Sequence, residues 1–258
     1  MRKLILFLIL FWPAIAWSET LYPLASLDAH LIPKGQWDFH LGAKYTQDRW
    51  FPFERKNTHR EELHLPQFSL NIGLASNIEI HFDYPYIYLD SDHTDSDWDS
   101  GDLTLGVKIN LFKDKNNFPA VSLDLSTKLP NGDYENRFST NETDFFALAL
   151  MAKRWEDLNL FLNMGLGIIG NPQVNASQDD VFVYSVGFDY TLWPDIDLLT
   201  EIQGWAGSNY DNNYAVATMG IQYWYLSHWR FDAGVHVGLN EQSEDWGISI
   251  GVSYIWKW

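Results

Sequence analysis

The feature that most constrains this chain is an alternation of apolar and polar residues, sustained over segments long enough to cross a bilayer. Near the C-terminal end, Trp246, Ile248, Ile250, Val252, Tyr254, Trp256 and Trp258 occupy every second position. The pattern recurs over Trp37 to Tyr45, Leu103 to Leu111, Leu158 to Ile168, Phe182 to Tyr190, Ala215 to Tyr223 and Trp229 to Val237. Shorter versions run over Phe68 to Leu74, Ile78 to Tyr84, Val121 to Leu125 and Ile196 to Ile202. Asp144 to Arg154 is less regular, with Phe145 and Phe146 adjacent. Successive side chains of a strand point to opposite faces, so a period of two gives one apolar and one polar face. The pattern predicts about twelve strands, most near the roughly ten residues that a tilted membrane strand needs. Strands of soluble sandwiches are typically about five or six residues long. The fold class is therefore all-β, a closed antiparallel transmembrane β-barrel of about twelve strands. Closure follows because a sheet edge in hydrocarbon would leave backbone N–H and C=O groups unpaired.

The connections alternate in length. Ala75-Ser76-Asn77, Trp155-Glu156-Asp157, Trp193-Pro194-Asp195 and Leu226-Ser227-His228 are short, and Phe112 to Asn117 is a little longer. Between them lie longer polar links, Trp50 to Glu61, Ser91 to Ser100, Pro130 to Glu142, Asn171 to Asp179 and Gly207 to Asn212. Outer-membrane barrels have short periplasmic turns and long outer loops, which places both termini in the periplasm. Trp37, Trp155, Trp193, Trp229, Trp256 and Trp258 then fall near the periplasmic ends, and Trp50, Tyr88, Trp98 and Trp246 near the outer ends. Such rings, apolar in body and polar at one edge, form the girdles of a barrel.

Arg2 and Lys3 precede a short apolar run, Leu4 to Trp12, and then Ala14-Ile15-Ala16. This pattern predicts a signal peptide over residues 1–16. The run is shorter than the roughly 20 residues of a spanning helix. The mature chain is then one barrel domain, 17–258, that opens with a periplasmic or plug segment over 17–34. Tyr254, Trp256 and Trp258 are the expected C-terminal signal for the barrel assembly machinery. The implied location is the outer membrane of a Gram-negative cell, with its lipid and lipopolysaccharide as surroundings. The chain has no cysteine, so no disulfide staples it. Its formal net charge of −17 argues against a nucleic-acid partner, which needs clustered Lys and Arg.

Several segments, in their order along the chain, resemble a known family. They are Ile32-Pro33-Lys34-Gly35-Gln36-Trp37, the stretch Ile72 to Ile80, Gly101-Asp102-Leu103-Thr104-Leu105-Gly106-Val107-Lys108, Lys128 to Asp133 and Asn163 to Gly167. They are similar to outer-membrane β-barrels assigned to transport in the MetA pathway of phenol degradation. The resemblance implies uptake of aromatic compounds and supplies no catalytic residues. The acidic stretch Asp90 to Asp102 has no counterpart in it.

The lumen-facing positions are the candidate functional residues. They are Asp38, His40, Lys44, Glu79, His81, Asp83, Lys108, Asp124, Lys128, Glu201, Arg230, Asp232 and His236, with Asp102 and Asp189 on the same face. Two readings stand. Either the charges pair and fill a narrow barrel, or they line a polar conduit whose acidic bias favours cations or neutral solutes. His40, His81 and His236 all point inward, but without cysteine or close ligand spacing they read as hydrogen-bonded lumen residues. No metal or cofactor is expected. The acidic run Asp90 to Asp99 reads as a solvated outer loop, because it lacks the spacing of an EF-hand, although its carboxylates leave Ca²⁺ binding open. An enzyme is the disfavoured class. No G-x-S-x-G motif occurs, and the lipid-facing positions are almost wholly apolar. The expected function is passive passage of small solutes, and the resemblance implies aromatic or hydrophobic ones. The alternatives are a plugged structural barrel and, less favoured, a lipid-modifying one.

Overall fold

The computed structural model describes residues 25–49, 51, 53, 59–92, 94–115, 117–172, 174, 177–207 and 212–257. The expected signal peptide, Trp50 and Trp258 lie outside the described residues. The thirteen strands are β1 (Gln36–Gln47), β2 (Arg60–Ala75), β3 (Ile78–Ser91), β4 (Thr94–Ser100), β5 (Leu103–Phe112), β6 (Ala120–Leu129), β7 (Asp144–Trp155), β8 (Leu158–Gly170), β9 (Gln178–Trp193), β10 (Ile196–Gly207), β11 (Tyr214–Tyr225), β12 (Trp229–Gly238) and β13 (Trp246–Lys257). All pairings are antiparallel, and each strand follows its neighbour round the wall. The seam between β1 and β13 runs without a slip from Gln36↔Lys257 to Gln47↔Trp246, so the sheet closes.

Thirteen strands fill twelve wall positions. β4 pairs with the outer half of β3 and β5 with its inner half, so the two share one position, interrupted at Gly101 and Asp102. This corrects the reading of Ser91 to Ser100 as a loop. That segment is the returning limb of a hairpin, with Trp98 stacked against Tyr86 and tilted against Tyr88. Asp95 and Asp97 are exposed on it. Likewise β2 starts at Arg60, eight residues before the alternation at Phe68 announces it.

Burial is inverted relative to a water-soluble protein. Ile250 is 63 % exposed, Leu166 66 % and Val235 57 %, whereas Lys108, Glu79, Glu201 and Glu244 are among the largest fully buried side chains. An apolar outside around a charged inside is stable only where the outside meets hydrocarbon. Aromatic rings group at both rims. Trp37 with Trp256 and Trp229 with Tyr254 lie at the short-turn end, and Tyr45 with Trp246 at the other. Tyr254 and Trp256 of the expected assembly signal both face outward. The irregular alternation of β7 has a local cause. Phe145 faces lipid, while Phe146 turns inward against Phe53, Ile169 and Val181.

The lumen and its strap as the candidate functional site

Residues 25–35, the strap, run inside the periplasmic half of the barrel and enter β1 through Gly35, whose φ is 78°. A peptide enclosed in a barrel has backbone groups that need partners, and the wall side chains supply them. The Glu201 carboxylate accepts the N–H groups of Ala25 at 2.8 Å and Ser26 at 2.9 Å. Asn163 donates to the Leu27 carbonyl, and Ser122 donates to that of Ala29. Lys108 Nζ donates to the carbonyls of Asp28 (3.0 Å) and His30 (3.2 Å) while pairing with Glu79 at 3.0 Å. Glu79 in turn accepts the Ile32 N–H at 2.8 Å. The strap's apolar side also has a seat. Ala29 is wholly buried among Ala120, Leu150, Ala152 and Phe161, inward positions where the polar alternation lapses.

His30 ties the strap to the periplasmic turn. Its Nδ1 lies 2.7 Å from Asp28 Oδ1, and its Nε2 lies 3.6 Å from Asp114 in the β5–β6 connection. Burial pushes the His30 pKa down, but the hydrogen bond and charge of Asp28 outweigh it, so it stands above the ordinary histidine value. Burial likewise works against ionisation of Asp28, yet His30 and Lys108 hold its carboxyl below the usual range.

Above the strap is a chamber of about 390 Å³, floored by Ala25, Ser26 and Leu27. Of the expected lumen residues, His40, Lys44, His81, Asp83, Arg230, Asp232 and His236 line it. His40 Nε2 lies 3.1 Å from Asp232, and His81 Nε2 lies 2.8 Å from Asp124 behind the wall surface. Arg230 reaches Asp38 at 3.0 Å and Ser253 at 2.8 Å. His236 sits between Thr218 (2.9 Å) and Ser249 (3.1 Å). Two glycines make room for the imidazoles. A Cβ on Gly251 or on Gly106 would come within 2.1 Å of His40 Nε2 or His81 Nε2 respectively.

The remaining expected residues sit elsewhere. Glu79, Lys108 and Glu201 hold the strap. Lys128 lies at the outer end of β6, bound to Asp102 (3.3 Å) and Asp144 (2.8 Å). Asp189 accepts from Asn159 at 2.9 Å. Among the described residues, no three His, Cys, Asp or Glu side chains converge in a way that could hold a metal ion.

Sequence reasoning missed the other half of the strap's seat, Ser122, Asn159 and Asn163, and a charged knot at the outer end. There Arg60 donates to Glu62 at 2.7 Å, His64 meets the same carboxylate at 3.0 Å, and Lys44 lies 3.6 Å from Glu244. The available signal was Arg60, Glu62 and His64 at every second position, which a strand start at Phe68 hid.

A family model described as "Putative MetA-pathway of phenol degradation" matches residues 30–256. The chain belongs to this family. Among solved structures, the COG4313 outer membrane channel from Pseudomonas putida F1 is similar at TM-score 0.70 and 12 % identity, over 89 % of this chain and 98 % of that one. The KdgM porin is similar at TM-score 0.55 and 11 % identity, over 85 % and 98 %. Outer membrane phospholipase A from Escherichia coli is similar at TM-score 0.50 and 14 % identity, over 91 % of each chain. At these identities the likeness is one of fold, and it makes this family member an outer-membrane β-barrel. No curated protein matches the sequence.

Proposed function

We propose that the barrel passes small solutes passively across the outer membrane, and that the strap is the element that closes it. The observation that carries this reading is the polar chamber directly above a peptide held by side-chain hydrogen bonds and one small apolar seat. A purely structural barrel has no use for such a cavity. The barrel likeness to a channel and a porin agrees with passage. The likeness to a phospholipase raises an enzymatic alternative, which the described lipid-facing positions, almost wholly apolar or aromatic, do not favour.

The test uses the absence of native cysteine. A barrel carrying Ser26→Cys with Glu201→Cys is refolded and placed in a planar bilayer. Oxidised, the strap is tethered to the wall and the barrel is silent; reduced, it shows discrete conductance steps. Silence in both states supports the plugged structural barrel instead.

A further inference from the structure

We infer that the chamber is a binding site for a small, hydroxyl-rich solute of monosaccharide size that carries no negative charge, which names the solute class of the passage proposed above and rests on that reading for its physiological meaning. Its volume falls within the range of small-molecule sites, about 300–1,000 Å³. The cations that face it are already met by carboxylates, whereas the acids meet a hydroxyl and an imidazole. Lys44 lies against Glu244, Arg230 against Asp38, Asp232 against His40, and Asp83 accepts from Ser69. An anionic solute would meet no free cation and would have to break the Lys44–Glu244 or the Arg230–Asp38 pair.

What the walls leave open is hydrogen-bonding capacity. Asp83 spends only Oδ1 and Asp232 only Oδ2, so each offers one further carboxylate oxygen. The amides of Gln67 and Asn71 line the same chamber, half-buried, and make no side-chain hydrogen bond among the described residues. Two carboxylate acceptors and two amides that both give and accept suit several hydroxyl groups held at once. None of the described lining residues is Phe, Tyr, Trp or Met, so a ring finds no stacking partner there, only the aliphatic side chains of Ala25, Leu27, Ala43 and Ile250. A phenol has a single hydroxyl and would leave most of these polar groups dry and unpaired, which disfavours it.

Isothermal titration of the full-length refolded barrel with glucose, gluconate and phenol tests this. Glucose is expected to bind in the millimolar range, at least tenfold tighter than gluconate or phenol. Gln67→Ala and Asp83→Asn are each expected to weaken it at least tenfold in barrels that keep their compact, unboiled gel mobility. Tighter binding of phenol, or glucose binding indifferent to both substitutions, overturns the inference. So does the absence of glucose binding by a barrel that conducts when its strap is released; that result leaves the passage reading intact. Glucose binding by a barrel silent with and without its tether keeps the site and removes the passage.

Discussion

At the scale of single residues, the lumen depends on positions where a side chain is missing. Gly106 lies beneath the His81 ring, and any Cβ there collides with it. Gly106→Ala should push the imidazole off Asp124 and leave a wholly buried carboxylate without its partner. The expected loss is about 1–3 kcal/mol in unfolding free energy, read from urea titration of the folded barrel in detergent. An unchanged midpoint would show that the ring has another resting place. His40, His81 and His236 were legible in sequence because alternation alone assigns a face, and each stands on a regular strand. Asp28 and His30 were not. They lie in a segment with no period, and their roles come from residues distant in the chain, such as Lys108 and Asn159.

At the scale of elements, the strap is the part that responds to pH. The His30 pKa is raised in the seated state, so His30 contributes to seating fully below its free value of 6.5 and loses that contribution as pH rises through the seated value. Asp28 is lowered from 3.8, so its contribution is present above that value and is lost only in strong acid. Asp114 and Arg154 also face His30, the first favouring its charged form and the second opposing it. The open fraction of single-channel records should therefore increase from mildly acidic to mildly alkaline solution, and His30→Ala should flatten that dependence. A His30→Ala barrel with the same pH profile would assign the effect to another group. The strands themselves were largely readable, because one face must be apolar over the whole membrane thickness. The β3–β4 hairpin was not, because past the rim neither face is obliged to be apolar. Asp95, Asp97 and Asp99 alternate with Ser96 and Trp98 and look like a loop. The start of β2 was hidden for the same reason.

At the scale of the whole molecule, the net charge of −17 misleads about the conduit. The cations facing the chamber are matched by Glu244 and Asp38, Asp83 and Asp232 meet only a hydroxyl and an imidazole, and much of the acidic excess lies on outer segments such as Asp92, Asp95 and Asp97. An opened barrel should accordingly show only a mild cation preference, with a small reversal potential across a potassium chloride gradient. Strong cation preference would instead show that the acidic rim governs permeation. The acidic bias in composition suggested that preference; pairing, which composition cannot display, reduces it. Barrel closure was foreseeable from the cost of an unpaired edge, whereas the strap's course through the lumen depends on three-dimensional contacts.

The strap joins β1 at Gly35, with no linker between them. A released strap therefore remains tethered at the periplasmic mouth, at an effective local concentration on the order of millimolar or more. Reclosure is then unimolecular. Its rate does not depend on how many barrels the membrane holds, dilution cannot keep the pore open, and a free peptide of the same sequence competes only when supplied at comparable concentration. On the proposed reading, opening is a brief excursion from a resting closed state, and its duration is set by how fast the strap re-forms its hydrogen bonds with the wall.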